Sequence, residues 1–287
     1  MPKKIKHSRM SPKSASMGPH VRQVIPSAVG HIDPFVFLDH FGPFEKIPGS
    51  AGVPAHPHAG ISTITYLFQG SNRHQDSLGN DALVNAGDLA WMQAGRGIVH
   101  AEGMNEKRTE PEVVHGLQFW ISLPAKQKFI APDFFHYDSA DLPSFSLGKA
   151  TVKVLCGELN GHQAPVQSLS PAFMYEIQVP ANEELSILLV EGNSLGLYMV
   201  RGAINVDQKT LLPTSMTSFE KEGSTLIIES DMESHFMLFG GKPLDEPIVG
   251  YASFVMNDMA QIQQVMDDYH AGKMGGINLK TNNKSKI

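Results

Sequence analysis

The sequence predicts an all-β protein built as two tandem barrels with one short C-terminal helix, and three observations carry that expectation. Glycine and proline are abundant, 26 and 19 of 287 residues, as a turn-rich chain requires. Short β-branched and aromatic runs recur between turn signals, whereas a helical spacing of apolar residues stands out only near the end. The pattern also repeats: Tyr198-Met-Val-Arg-Gly202 echoes Tyr66-Leu-Phe-Gln-Gly70, and Lys221 to Ile228 echoes Asn85 to Met92. An apolar content of 41% is enough for real cores, and the length allows one large domain or two moderate ones.

In chain order, residues 1–20 read as a disordered tail, rich in Ser, Pro and Lys, with one basic cluster of Lys3, Lys4, Lys6 and Arg9. The first barrel is expected over 21–124. Ile61 to Phe68 alternates small or polar with apolar residues and ends at Gly70-Ser71; Ser77 to Asp81 is a turn, Ala82 to Val84 a short strand, and Asn85 to Asp88 a second turn. Leu89 to Met92 follows, Gly95-Arg96-Gly97 turns the chain again, and Ile98 to Glu102 is the next strand. Residues 125–151, rich in Pro, Asp and Ser, read as a linker. The second barrel spans 152–276. Val152 to Cys156 is a strand, so the single cysteine is expected to be a buried structural thiol in a reducing compartment. Asn257 or Asp258 caps a helix whose Ile262, Val265, Met266 and Tyr269 recur at helical steps until Gly272 stops it; this helix is expected to pack back on a barrel, as the closing helix of the second. Residues 277–287 read as a flexible tail.

Chemistry concentrates in His56-Pro57-His58 and His100-Ala101-Glu102. In a strand, residues i and i+2 point the same way, so each pattern offers two metal-type side chains to one face. Brought together they make three imidazoles and one carboxylate, a set suited to a redox or Lewis-acid divalent metal and unlike a thiolate-rich structural zinc site. With thirteen histidines in the chain, a lone H-x-H is weak, and its spacing to the second pair has to decide. The second half offers no such pairs: Leu185 to Gly192 lacks H-x-H, and His235 stands alone and reads as a structural strand residue.

The run from His56 to Gly60, Tyr66 to Gly70, His74 to Asn80, Gly87-Asp88, Trp91-Met92 and Ala94 to Glu102 closely resembles the pirin family of the cupin superfamily. Ile32 to Pro43, His115 to Pro124 and Gly241 to Val249 agree, and the likeness extends from about Val21 to Gly276. It implies a bicupin of two jelly-roll-like barrels with one mononuclear metal in the first, held by His56, His58, His100 and Glu102. Fe(II) is the first expectation, with Ni, Co, Mn, Cu or Zn as alternatives. The chain departs from the family where it has Ser62 in place of a common Glu, Thr63 near the general cupin carboxylate position, and Ala59 in place of a common Arg. Glu102 is therefore left as the fourth ligand, and the loss of a cation at 59 bears on which anionic substrates are accepted.

The resemblance implies a quercetin 2,3-dioxygenase-like oxidoreductase that opens flavonols with dioxygen, Glu102 serving as ligand or as the base that takes a hydroxyl proton. Phe37, Phe41, Phe68, Trp91 and Phe119 are candidates to line an aromatic pocket, each weighed against plain core. His74, Asp76, His115 and Arg96 are candidates to orient the imidazoles, with hairpin or turn roles as the alternative for His74, Asp76 and Arg96. Other pirins are non-enzymatic partners of regulatory proteins, which implies a redox sensor that docks a transcription factor or an enzyme through the second barrel and the helix. A third reading is a metal-stabilised bicupin for another small molecule. The formal charge of −6 argues against direct nucleic-acid binding. No membrane-spanning apolar run or signal peptide is apparent, so a cytoplasmic protein is expected, nuclear being open if the source is eukaryotic.

Overall fold

The computed structural model describes residues 1–14, 20–103 and 109–277; of the expected flexible tail, 278–287 lie outside them. The first barrel pairs a six-stranded antiparallel sheet, in the order Asp133–Tyr137, Leu89–Gln93, Ile61–Gln69, Glu112–Ser122, Phe35–Lys46 and Val21–Ile25, with a four-stranded sheet, Val53–His58, Ile98–Glu102, Ser71–Asp76 and Asp81–Asn85. The second repeats the plan: Ile5–Met10, Ser215–Phe219, Ser194–Arg201, Ser234–Gly241, Ala172–Val179, Ala150–Cys156 and Ser144–Leu147 form one sheet, and Glu183–Leu188, Thr225–Ser230, Ile204–Val206 and Lys209–Leu211 the other. The all-β, two-barrel expectation holds.

Alternation along Ile61–Gln69 explains how the barrels meet. Every residue from Ile61 to Leu67 is buried, because both faces of this strand are covered. Thr63 and Thr65 face the barrel interior. Ile64 and Tyr66 face the other barrel and join Trp91, Leu117 and Phe119 against Met174, Tyr198, Met237 and Phe239 in one apolar cluster. Two tyrosines equivalent by topology latch this interface in opposite directions: Tyr66 donates to Glu176 Oε2 of the second barrel at 2.6 Å, and Tyr198 OH lies 2.7 Å from His40 Nδ1 of the first. Cys156 lies in the same cluster, where burial pushes its thiol up to about 12, as suits a structural thiol.

Topology also corrects the internal echo. Tyr66 and Tyr198 do sit on equivalent central strands, but the counterpart of Leu89–Gln93 is Ser215–Phe219, not Thr225–Ser230. Thr225–Ser230 instead pairs with Glu183–Leu188, just as Ile98–Glu102 pairs with Val53–His58. The local likeness of turn and apolar run had slipped by one strand. In this register Leu185 faces Ile228 and Ile187 faces Leu226, and all four fill the interior of the second barrel. Where the first barrel carries His and Glu, the second carries aliphatic side chains.

Three segmental expectations are revised. Residues 1–20 are not a structureless tail in their described part: Ile5–Met10 forms an antiparallel pair with Ser215–Phe219, and Lys3 is buried with Nζ donating to the carbonyls of Glu220 and Lys221. The docking rests on backbone bonds to an open sheet edge, which leaves little hydrophobic trace in the sequence; residues 15–19 lie outside the described ones. Residues 125–151 are not a plain linker, since Asp133–Tyr137 extends the first barrel's sheet and Ser144–Leu147 the second's. The helix Met259–His270, capped by Asp258 Oδ1 accepting from Gln261 N at 2.8 Å, does not close the second barrel. Its Ile262 and Val265 pack with Phe254 and Met256 on Ala59 and Val99 of the first.

Lys128 fixes that return. It is fully buried, and its ammonium donates to Gly60 O and Ser122 Oγ at 2.9 Å and to Val255 O at 3.0 Å; burial pushes it down to about 8. Gly60 permits the approach, because at its φ of +76° an added Cβ would meet Val255 O at 2.0 Å. Lys128→Met removes the buried donor shared by Gly60 O, Ser122 Oγ and Val255 O, although Gly60 O still accepts from Leu123 N at 3.1 Å, and is expected to cost about 2 kcal/mol of unfolding free energy in urea titrations; a cost within about 0.5 kcal/mol would contradict the clamp.

Candidate metal centre

His56 and His58 alternate with Pro57 on one strand, and His100 lies directly opposite His56 on the next. The three imidazoles meet as a result. Their ring centroids are 4.4 to 4.9 Å apart, and each offers one nitrogen within 4.8 Å of the others. The tautomers of two are set by the backbone. His56 Nδ1 lies 2.8 Å from Pro54 O and His58 Nδ1 3.1 Å from Ser253 O. A carbonyl only accepts, so each Nδ1 carries the proton and each Nε2 turns a lone pair inward. His56 Nε2 is 3.0 Å from His100 Nε2. Burial, followed by the neighbouring imidazole His56, holds His58 down to about 3, and burial with His58, His56 and His74 around it keeps His100 well below the usual histidine range. Neutral, inward-facing imidazoles are the donor set a divalent transition metal needs, so the residues fit the group.

Glu102 sits one step aside. Its Oε2 is 3.9 Å from His100 Nε2, and it groups with His100 and His74 rather than with all three imidazoles. Thr65 holds its other oxygen, donating to Oε1 at 2.9 Å, with Asn72 Nδ2 at 3.5 Å. Thr65 Oγ1 is also 2.8 Å from Gln118 Oε1 as placed. A hydroxyl has one proton, and Glu102 is the charged acceptor, so the consistent assignment turns the Gln118 amide nitrogen towards Thr65.

The imidazoles open into a cavity of about 430 Å³. Phe37, Phe41, Phe44, Val114 and Trp120 make its apolar wall, with Phe37 and Trp120 stacked at 4.1 Å, and Asp39, Lys46, Asn72 and Gln118 add polar groups. One face of Trp120 reaches the metal end, its ring 5.0 Å from that of His58.

This arrangement can be set beside known proteins. The Pirin family model matches residues 18–121 and the model described as Pirin C-terminal cupin domain matches 174–275. Human Pirin is 33% identical over 282 residues, covering 96% of this chain and 94% of that protein. The chain belongs to the pirin family. Among its pirin relatives, Pirin-like protein 2 of Arabidopsis thaliana is also 33% identical, over 85% of this chain and 76% of that one. A crystal structure of quercetin 2,3-dioxygenase from Acinetobacter baumannii superposes with a TM-score of 0.91 at 27% identity, covering 96% of this chain and all of that one.

In this pirin the other expected site residues divide cleanly. Of the aromatic candidates, Phe37 and Phe41 line the cavity. Trp91 and Phe119 do not, because both register with Ile64 and share its outward face in the inter-barrel core; Phe68 lines a separate cleft between the barrels with His115 and His235. His74 stacks on Phe134 at 4.0 Å, pairs with Asp76 at 3.1 Å and lies 5.4 Å from the His100 ring, so it borders the centre. Asp76 binds its own turn, accepting from Leu78 N and Asn80 N. His115 does not orient the imidazoles: its Nε2 is 2.6 Å from His40 Nε2 on the opposite face of the sheet. Arg96 is an exposed turn residue. His235 is not alone, lying 2.8 Å from Glu176 Oε1. Ala59, where pirins often have Arg, is fully buried beneath the returning C-terminal segment, so its effect is on packing rather than on the charge of the cavity. Ser62 points away from Thr63 and Thr65.

Asp39 was not apparent from the sequence. It is 3% exposed, lines the cavity, and neither carboxylate oxygen has a hydrogen-bond partner among the described residues. Burial with no compensating cation raises it to about 7. The alternation of Phe-Val-Phe-Leu-Asp-His-Phe could have flagged it as an inward polar residue opposite Gln118. A folded-state value raised above the ordinary 3.8 means that its share of stability is complete below pH 4 and lost as pH rises through about 7. Asp39→Asn is therefore expected to be more stable than the native chain at pH 8, by something on the order of 4 kcal/mol, and equal to it near pH 4. Thermal unfolding across pH checks this; equal stability at both pH values would contradict it.

Proposed function

We propose that this chain is a metal-dependent dioxygenase of flavonol-type substrates, with His56, His58, His100 and Glu102 as metal ligands on the first barrel, about residues 21–137. The observation that carries the reading is the set of inward lone pairs at the floor of an aromatic-walled cavity. Likeness to a quercetin 2,3-dioxygenase over nearly the whole chain supports it. A metal held there supplies Lewis-acid and redox chemistry for a substrate oxygen and dioxygen. Phe37, Phe41 and Trp120 give an aromatic ring an apolar wall to pack on and exclude water. Glu102, whose Oε1 accepts from Thr65 at 2.9 Å, would take the hydroxyl proton of the substrate, and Thr65 holds that carboxylate in place. Among the described residues, no helix is long and apolar enough to cross a membrane.

Chain reconstituted in turn with Fe(II), Ni(II), Co(II) and Mn(II) is expected to consume dioxygen with quercetin and bleach the flavonol absorbance. Retention of stoichiometric metal without dioxygen uptake for any of the four would overturn the enzymatic reading.

A further inference from the structure

Asp39 is a buried carboxyl with no hydrogen-bond partner among the described residues, and the fold places it in line with the metal end. Cross-strand register puts Asp39 opposite Gln118 and Gln118 opposite Thr65, so the three side chains form a row on the interior face of the sheet. Thr65 then reaches Glu102. Two strand spacings, about 10 Å, separate Asp39 from Thr65. Phe37, Phe41 and Trp120 line the same cavity. A buried polar group without a partner is costly to keep unless something fills it.

We propose that Asp39 is a second recognition point of the cavity, hydrogen-bonding a hydroxyl or keto oxygen at the far end of a planar aromatic ligand whose near oxygens face His56, His58 and His100. This rests on the aromatic-ligand reading above and adds which ligands are preferred: polyhydroxylated ring systems long enough to span both ends. A neutral carboxyl donates to a keto oxygen or accepts from a hydroxyl, so either kind of oxygen completes it. A site built to bond an oxygen rejects the analogue that lacks it.

The test is anaerobic calorimetry on the full chain as purified, which removes turnover, with quercetin and with 3-hydroxyflavone, which keeps the 3-hydroxyl and 4-keto pair but lacks the other ring hydroxyls. The native chain is expected to bind quercetin at least about tenfold tighter. Asp39→Leu is expected to abolish that preference, and Asp39→Asn, which still donates and accepts, to keep most of it. A preference that survives in Asp39→Leu, or a native chain with no preference, overturns the role of Asp39 alone. Failure of the native chain to bind either flavonol overturns the aromatic-ligand reading and this inference with it. A quercetin complex gives a check independent of variants: a ligand oxygen about 2.5–3.0 Å from an Asp39 carboxyl oxygen supports the role, and none there overturns it.

Discussion

His100→Ala protein is expected to bind transition metal at least about 100-fold more weakly than the native chain and to show no flavonol-dependent dioxygen uptake. His100 is the hinge of the centre, because its ring touches those of His56, His58 and His74 and its side chain is 1% exposed. Removing it leaves two imidazoles on one strand and, on the strand opposite, only Glu102, which groups with His100 and His74 rather than with His56 and His58. The Nδ1 bonds to Pro54 O and Ser253 O stay in place, so the remaining two are still aimed inward but cannot enclose an ion. Elemental analysis after dialysis checks the expectation, and circular dichroism confirms the fold. Native-level metal in the variant would remove His100 from the site.

Glu102→Gln is expected to separate binding from turnover. The Nδ1 bonds that set the tautomers of His56 and His58 are untouched and His100 stays in place, so metal content should stay close to native, whereas kcat should fall by about 10²–10⁴-fold, the usual contribution of a placed base. Thr65 can still bond the amide, which keeps the side chain in its native position. Turnover at the native rate would show that Glu102 moves no proton. Loss of metal together with activity would make Glu102 chiefly a ligand.

Much of this was legible in the sequence, for physical reasons. H-x-H and H-x-E on extended segments had to present their side chains on one face, and the turns between them had to bring the segments side by side. What strand alternation could have separated but composition could not was the choice of aromatic residues. Phe119 and Trp120 are neighbours in sequence, yet one lies between the barrels and the other in the cavity, because this sheet is buried on both faces. The carbonyl that orients His58 belongs to Ser253, 195 residues away, and no local pattern announces such a contact. Nor does one announce that Ile5–Met10 completes the second barrel while the C-terminal helix packs on the first. Asp39 was hidden for a related reason: a single carboxylate in an apolar run gains meaning only when its partners are known to be missing.

The central claim is that three imidazoles from two strands hold one transition metal at the floor of the aromatic cavity. Anomalous diffraction from crystals of the chain loaded with one equivalent of metal tests it most directly. One peak about 2.0–2.1 Å from the Nε2 atoms of His56, His58 and His100 is the predicted result. A peak at Asp88, His136 and Asp138, a further group among the described residues able to hold an ion outside this barrel interior, or no peak between the three imidazoles, would contradict it.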